Sequence, residues 1–260
     1  MKIGAYQFAV TGDIKCNFEI VKKAVLHASD EKVKLLAFPE CALTGYPPHD
    51  MNGPSNVDFD ELTVMWEQLQ HMAEEYDMHI IIGSITKDNE KYYNSAVIFS
   101  PDQEKQFYHK RALWGWDYSF TPGKQNGVIE LEGFKVGIRI CFEVRFPEYF
   151  RELYTQHTDL NIILFYDTAD YDDTERYDLI KAHIRTRAVE NICYTLSVDT
   201  IRPYQTAPTA LFDKSGGILK ELERNAEGLL TYDLVHTKDT FGEQGRREIS
   251  DRLRICFTRT

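Results

Sequence analysis

The run Leu160-Asn-Ile-Ile-Leu-Phe165 is almost unbroken in its apolar character. A strand of that kind belongs in a sheet covered on both faces. Helical patterns stand on either side of it. One lies around Pro147–Gln156, with proline in the first turn, and one spans Glu175–Glu190 before a further strand at Ile192–Val198.

The rest of the chain alternates in the same way. Lys2–Ala9 reads as a strand. Phe18–His27 has apolar residues at helical spacing, with Asn17 as the expected N-cap. Val33–Phe38 is a second strand, followed by a loop rich in Gly and Pro from Cys41 to Pro54. A longer helix is expected over Asp58–Tyr76, with Leu62, Met65, Trp66, Leu69 and Met72 facing inward. Strands follow at His79–Ile85, Ser95–Phe99, Lys105–His109, Val128–Leu131 and Phe134–Ile140, and shorter ones near Thr209–Phe212, Gly217–Leu222 and Gly228–Tyr232. A single doubly wound sheet would contain fewer consecutive hairpins. Two mixed sheets packed together with helices outside fit better. With no repeat, low-complexity segment or linker, residues 1–260 read as one domain, and residues 236–260 as a polar C-terminal tail lying against the body or a partner.

Charge narrows the function. Thirty basic and 41 acidic residues give a formal net charge of -11. Nucleic acids and anionic membranes need clustered Lys and Arg, so neither is an expected partner. No apolar run approaches the roughly 20 residues of a membrane helix, and the first residues are too short and strand-like for a signal peptide. The chain is therefore read as cytoplasmic. Its five cysteines, Cys16, Cys41, Cys141, Cys193 and Cys256, are odd in number and lack Cys-x-x-Cys spacing, which argues against a disulfide framework or zinc cluster. The eight histidines show no metal-binding spacing.

Three reactive residues each follow an expected strand: Glu40, Lys110 and Cys141. Strand ends are where open α/β sheets place ligands. A carboxylate, an ammonium and a thiol together supply a base, an oxyanion stabiliser and a nucleophile, the set that acyl transfer requires. His109, next to Lys110, points the other way by strand alternation and is expected to be structural.

The segments carrying these residues resemble the nitrilase superfamily of carbon–nitrogen hydrolases. Glu40 sits in Phe38-Pro-Glu-Cys-Ala-Leu-Thr-Gly-Tyr46, Lys110 in Tyr108-His-Lys110, and Cys141 in Gly137-Ile-Arg-Ile-Cys-Phe-Glu-Val-Arg-Phe-Pro-Glu148. Arg185-Thr-Arg-Ala-Val-Glu-Asn191 and Phe120-Thr-Pro-Gly123 are also similar to family segments. Several such motifs in the right order are specific where one alone is weak. The resemblance implies a four-layer αββα sandwich, a homodimer or higher homo-oligomer, and no metal or organic cofactor. It implies Cys141 as nucleophile, Glu40 as general base, Lys110 as oxyanion stabiliser and the Phe142 backbone N–H as a second oxyanion donor. The substrate it implies is a small linear carboxamide, cleaved with water through a thioester, or alternatively an N-carbamoyl amine. Nitriles rank lower, because Phe142 stands where nitrilases usually carry Trp.

One departure matters. Many members carry a second glutamate just before the Phe-x-Pro-Gly stretch. Here that place holds Trp116, followed by Asp117, in a loop short by family standards. Asp117 either supplies the carboxylate from a shifted position or is only a loop residue, and the latter leaves open a non-catalytic oligomeric protein with a degraded site. Arg145 either binds a substrate carboxylate, as in members acting on amino-acid derivatives, or pairs with Glu143 or Glu148. The acidic segment Asp167–Asp173 either attracts a cationic substrate or caps the helix that follows.

Overall fold

The computed structural model describes the backbone of residues 1–257 and the side chains of residues 1–253. The Cys256 side chain lies outside the described residues. The strands in chain order are β1 (Lys2–Gln7), β2 (Leu35–Ala37), β3 (His79–Asp88), β4 (Lys91–Ser100), β5 (Gln103–His109), β6 (Val128–Leu131), β7 (Phe134–Ile140), β8 (Leu160–Leu164), β9 (Thr168–Ala169), β10 (Tyr194–Val198), β11 (Tyr204–Gln205), β12 (Ala210–Phe212), β13 (Ile218–Glu221) and β14 (Gly228–Asp233). The helices are α1 (Ile14–Asp30), α2 (Phe59–Glu75), α3 (Pro147–Thr155), α4 (Thr174–Asn191) and α5 (Phe241–Phe257).

Two six-stranded mixed sheets form, in the orders β14-β1-β2-β3-β4-β5 and β13-β12-β10-β8-β7-β6. In the first, β1, β2 and β3 run parallel and the remaining pairings are antiparallel. In the second, β7, β8 and β10 run parallel. Strand alternation builds three apolar layers from these sheets. Ile3, Leu35, Ala37, Ile81 and Ile98 meet Val136, Ile138, Ile140, Ile162 and Leu196 between the sheets. Leu36, Phe38, Ile80 and Ile82 point the other way, against Phe18, Val21, Leu62 and Leu69 of α1 and α2. On the far side, Ile163 and Phe212 pack against Phe150, Leu153, Ile180 and Ile184 of α3 and α4. The chain is thus an αββα sandwich, and Leu160–Leu164 is buried at every position, as its apolar run requires.

Two local expectations change. Helix α1 begins earlier than its apolar spacing suggests, because Asp13 caps it by accepting from the Lys15 and Cys16 N–H groups. Asn17 is instead buried inside the first turn, where its amide bridges the Thr11 and Leu43 carbonyls at 2.6 and 3.1 Å. The C-terminal tail contains α5. That helix docks through polar contacts: Tyr154 Oη donates to Asp251 Oδ1 at 2.7 Å and Ser215 Oγ to Glu243 Oε1 at 2.9 Å.

Candidate active site

Glu40, Lys110 and Cys141 come from strand ends on one edge of the sandwich. Lys110 directly follows β5, and Cys141 directly follows β7. Glu40 lies three residues beyond β2, in a loop pressed against β3 at Gly83. A Cβ on Gly83 would stand 2.3 Å from the Pro39 carbonyl oxygen and the Cys41 nitrogen, so only glycine admits this approach. Gly123 does the same behind Lys110: its N–H donates to the Lys110 carbonyl at 2.9 Å, and a Cβ there would meet the His109 carbonyl.

Cys141 opens a 3-10 turn, Cys141–Arg145, with φ at +42°, a left-handed conformation uncommon for a residue with a side chain. Glu143 fixes this turn. Its buried carboxylate accepts from the Ile140 N–H at 2.7 Å, the Arg111 N–H at 2.8 Å and the Tyr108 hydroxyl at 2.8 Å. It is therefore fully engaged in holding the β5 and β7 ends together. From behind, Arg187 Nε of α4 donates to the Val144 carbonyl at 2.9 Å.

The polar groups of the site can be counted. Glu40 is buried, and its Oε1 accepts from Lys110 Nζ at 2.9 Å and Asn94 Nδ2 at 2.7 Å. Its Oε2 accepts from the Tyr166 N–H at 2.9 Å. A carboxylate offers about four lone-pair sites, so one remains for a proton from a thiol or a water. Lys110 is equally buried and also lies 2.7 Å from Asp117 Oδ2. Of its three N–H donors, two face carboxylates and one is left for a bound oxygen. Asp117 sits in the 3-10 turn Gly115–Ser119, and its Oδ1 accepts from the Tyr46 hydroxyl at 2.8 Å. The shifted carboxylate thus reaches the ammonium despite its shorter side chain.

Burial pushes the Glu40 carboxyl up; the Lys110 charge pulls it back in part and Asp117 adds to the rise. Burial opposes the charge on Lys110, but Glu40, Tyr46, Cys141 and Asp117 outweigh it and hold the ammonium firmly protonated. By itself, the Lys110 ammonium would favour the Cys141 thiolate. The structure reverses that balance: burial and the Glu40 carboxylate raise the thiol well above its ordinary value, and Lys110 offsets only part. The balance of these groups favours a thiol beside a base over a preformed thiolate.

These residues open onto a cavity of about 470 Å³, which Cys141, Lys110 and Asp117 line together with Tyr46, Phe142, Arg145 and Tyr166. Arg145 is half-buried and, among the described residues, pairs with neither Glu143 nor Glu148. The acidic segment behaves differently from a cation trap. Asp167 reaches the cavity but is held by Arg176, with Nε–Oδ1 at 2.7 Å and Nη2–Oδ2 at 3.1 Å. Asp172 pairs with Arg224, and Asp173 caps α4. His109 turns away from the site onto Ser95 at 2.7 Å. Sequence reasoning missed Asn94, Tyr46, Tyr166 and His49. The one available signal was Asn94, a polar residue of poor strand propensity inside a strand.

The carbon–nitrogen hydrolase family profile matches residues 2–237. The chain is 27% identical over 183 residues to 2-oxoglutaramate amidase of Bacillus subtilis, spanning 68% of each protein. It is 26% identical over 206 residues to an (R)-stereoselective amidase of a Pseudomonas species, 77% of this chain and 71% of the relative. A glutamine-dependent NAD(+) synthetase of Aquifex aeolicus is 26% identical over 194 residues, but the match spans only 34% of that protein's length. Among solved structures, an amidase from Nesterenkonia sp. superposes with a TM-score of 0.79 at 22% identity, over 97% of this chain and 96% of that one, a likeness of fold.

Proposed function

The chain belongs to the carbon–nitrogen hydrolase family as an amidase-type enzyme of the nitrilase superfamily, and we propose that it cleaves a small linear carboxamide through a thioester on Cys141. The observation that carries this reading is the pairing of Lys110 with both Glu40 and Asp117 on the wall of the cavity that Cys141 lines. Cys141 Sγ attacks the amide carbon while its proton passes to the open lone pair of Glu40. The carbonyl oxygen becomes an oxyanion, stabilised by the third N–H of Lys110 and the Phe142 N–H. As the C–N bond breaks, Glu40 returns the proton to the nitrogen and ammonia or an amine leaves. Water then attacks the thioester and gives its proton to Glu40. The C–S bond breaks, the thiol is reprotonated and the carboxylic acid departs.

Size supports a substrate larger than the bare amide group, since about 470 Å³ falls among pockets that hold drug-sized ligands. Named relatives act on amides: variants of the Nesterenkonia amidase bind acrylamide and butyramide. Arg145, which has no ion-pair partner among the described residues, favours a second reading, in which an N-carbamoyl amine with a carboxylate is the substrate and the guanidinium grips that carboxylate. Ammonia release from a panel of amides, ureido acids and nitriles separates these readings, because only a carbamoyl substrate also yields carbon dioxide.

Two expected outcomes test the assignment. Mixing the protein with a substrate amide and quenching in acid should leave an acyl mass on the Cys141 peptide. Iodoacetamide should label the same cysteine unless substrate is present. Cys41 and Cys193 are buried, so exposed Cys16 is the control thiol, and substrate should not protect it. Acylation elsewhere, or protection of neither thiol, would refute the nucleophile. Asp117→Asn should lower kcat/KM at least about tenfold, near 1.4 kcal/mol of transition-state stabilisation. The loop position of Asp117 suggests a change of little structural consequence. Its burial against Lys110 and Tyr46 means that thermal stability should fall as well. Unchanged kinetics with a lowered melting temperature would reduce Asp117 to a structural counter-ion.

A further inference from the structure

We infer that the cavity carries a subsite for a planar aromatic group of the substrate, formed by Trp114, Trp116 and His49; this rests on the amide-hydrolase reading above and narrows its substrate class. Two of the three tryptophans of the chain stand at the mouth of this one cavity, 68% and 60% exposed. Indoles carry some of the largest apolar surfaces available to a protein, and leaving two uncovered side by side marks a place where something binds.

The Trp116 and His49 rings are held by their neighbours. Trp116 stands edge-on to His49, with centroids 4.4 Å apart and planes at 89°. His49 in turn stacks on Tyr46 and Tyr166 at interplanar angles of 27° and 24°. Both indoles hang on the turn that presents Asp117, whose N–H donates to the Trp114 carbonyl at 3.2 Å. The anchoring of Asp117 to Lys110 therefore sets the distance between the aromatic wall and the reacting atoms.

The occupant follows from the chemistry around the rings. A two- or three-carbon amide would fill only a small part of about 470 Å³ and leave both indoles in water. A cation is disfavoured, because Arg145 and Arg176 line the same cavity and Arg176 already engages Asp167. An aromatic ring covers the indoles and meets their faces and edges in the offset or perpendicular geometries that ring quadrupoles prefer.

The experiment compares 3-phenylpropionamide with propionamide by ammonia release, in the wild type and in Trp116→Ala. The expected wild-type result is a kcat/KM at least about tenfold higher for the phenyl amide. Trp116→Ala should lose at least about fivefold more on the phenyl amide than on propionamide, chiefly through KM. Equal wild-type values, or an equal loss on both amides, overturn the subsite. If no amide is turned over, binding decides. Saturable quenching of tryptophan fluorescence in Cys141→Ser by the phenyl amide, and not by propionamide, upholds the subsite while the hydrolase reading falls. Absence of that quenching overturns the subsite itself.

Discussion

Glu40→Gln should yield a folded protein whose kcat is lower by about 10²–10⁴, the usual contribution of a positioned general base. The carboxamide is nearly isosteric and retains an oxygen for Lys110 Nζ and Asn94 Nδ2, but its nitrogen then faces the Tyr166 N–H, donor against donor, so a modest fall in melting temperature should accompany the lost charge. The chemical loss is larger than the structural one. The Cys141 thiol is raised above its ordinary value, and removing the Glu40 carboxylate takes away the base assigned to accept its proton during attack. The pH profile gives the sharper test. Glu40 must be ionised to act as base, so wild-type activity falls as pH drops through its carboxyl pKa. Burial raises that pKa, which places the acid limb of kcat/KM above the roughly 4.3 of an exposed glutamate. In Glu40→Gln the limb should vanish, and the residual rate should rise with pH as hydroxide replaces the missing base. A variant that keeps the wild-type acid limb would assign the limb to another group.

What the sequence made legible is the local part of the site. Glu40, Lys110 and Cys141 stand beside runs whose period-two apolar pattern identifies strands, and strand ends are where this architecture gathers its chemistry. Contacts across the fold leave no such trace. Tyr166 reaches Glu40 through a backbone N–H, a donor that any residue other than proline supplies. Tyr46 and Asp117 meet although 71 residues separate them. The direction of the Cys141 shift was equally hidden, because residue identity shows a cation nearby but not the desolvation that outweighs it. Helix α5 was missed for a related reason. It docks by hydrogen bonds from Tyr154 and Ser215, and a helix held that way needs no broad apolar stripe.

Lys110→Ala should damage both activity and stability. A purely electrostatic role as oxyanion stabiliser would leave folding little changed. The structure places the ammonium in full burial between Glu40 and Asp117, at 2.9 and 2.7 Å. Truncation removes the cation from two buried carboxylates that already repel each other. Breaking a buried ion pair from one side costs about 3–5 kcal/mol, because the remaining charge has no compensation. For a protein of this size that is a fall of roughly 10 °C in melting temperature. Loss of an oxyanion donor should also lower kcat by about 10²–10³. The stability deficit should depend on pH with a definite sign. Without the ammonium the Glu40 carboxyl is pushed further above its unfolded value, so the folded state binds its proton more tightly. The deficit relative to wild type should therefore shrink as pH falls towards 5 and grow as it rises. Thermal unfolding at pH 5 and pH 8 measures this directly. Lys110→Ala combined with Asp117→Asn supplies an internal control. Removing one of the two orphaned charges should return part of the lost stability and none of the lost turnover, a coupling expected of groups in direct contact. A deficit that is independent of pH, or a double variant less stable than Lys110→Ala alone, would mean that Lys110 supports the fold through packing and not through its charge.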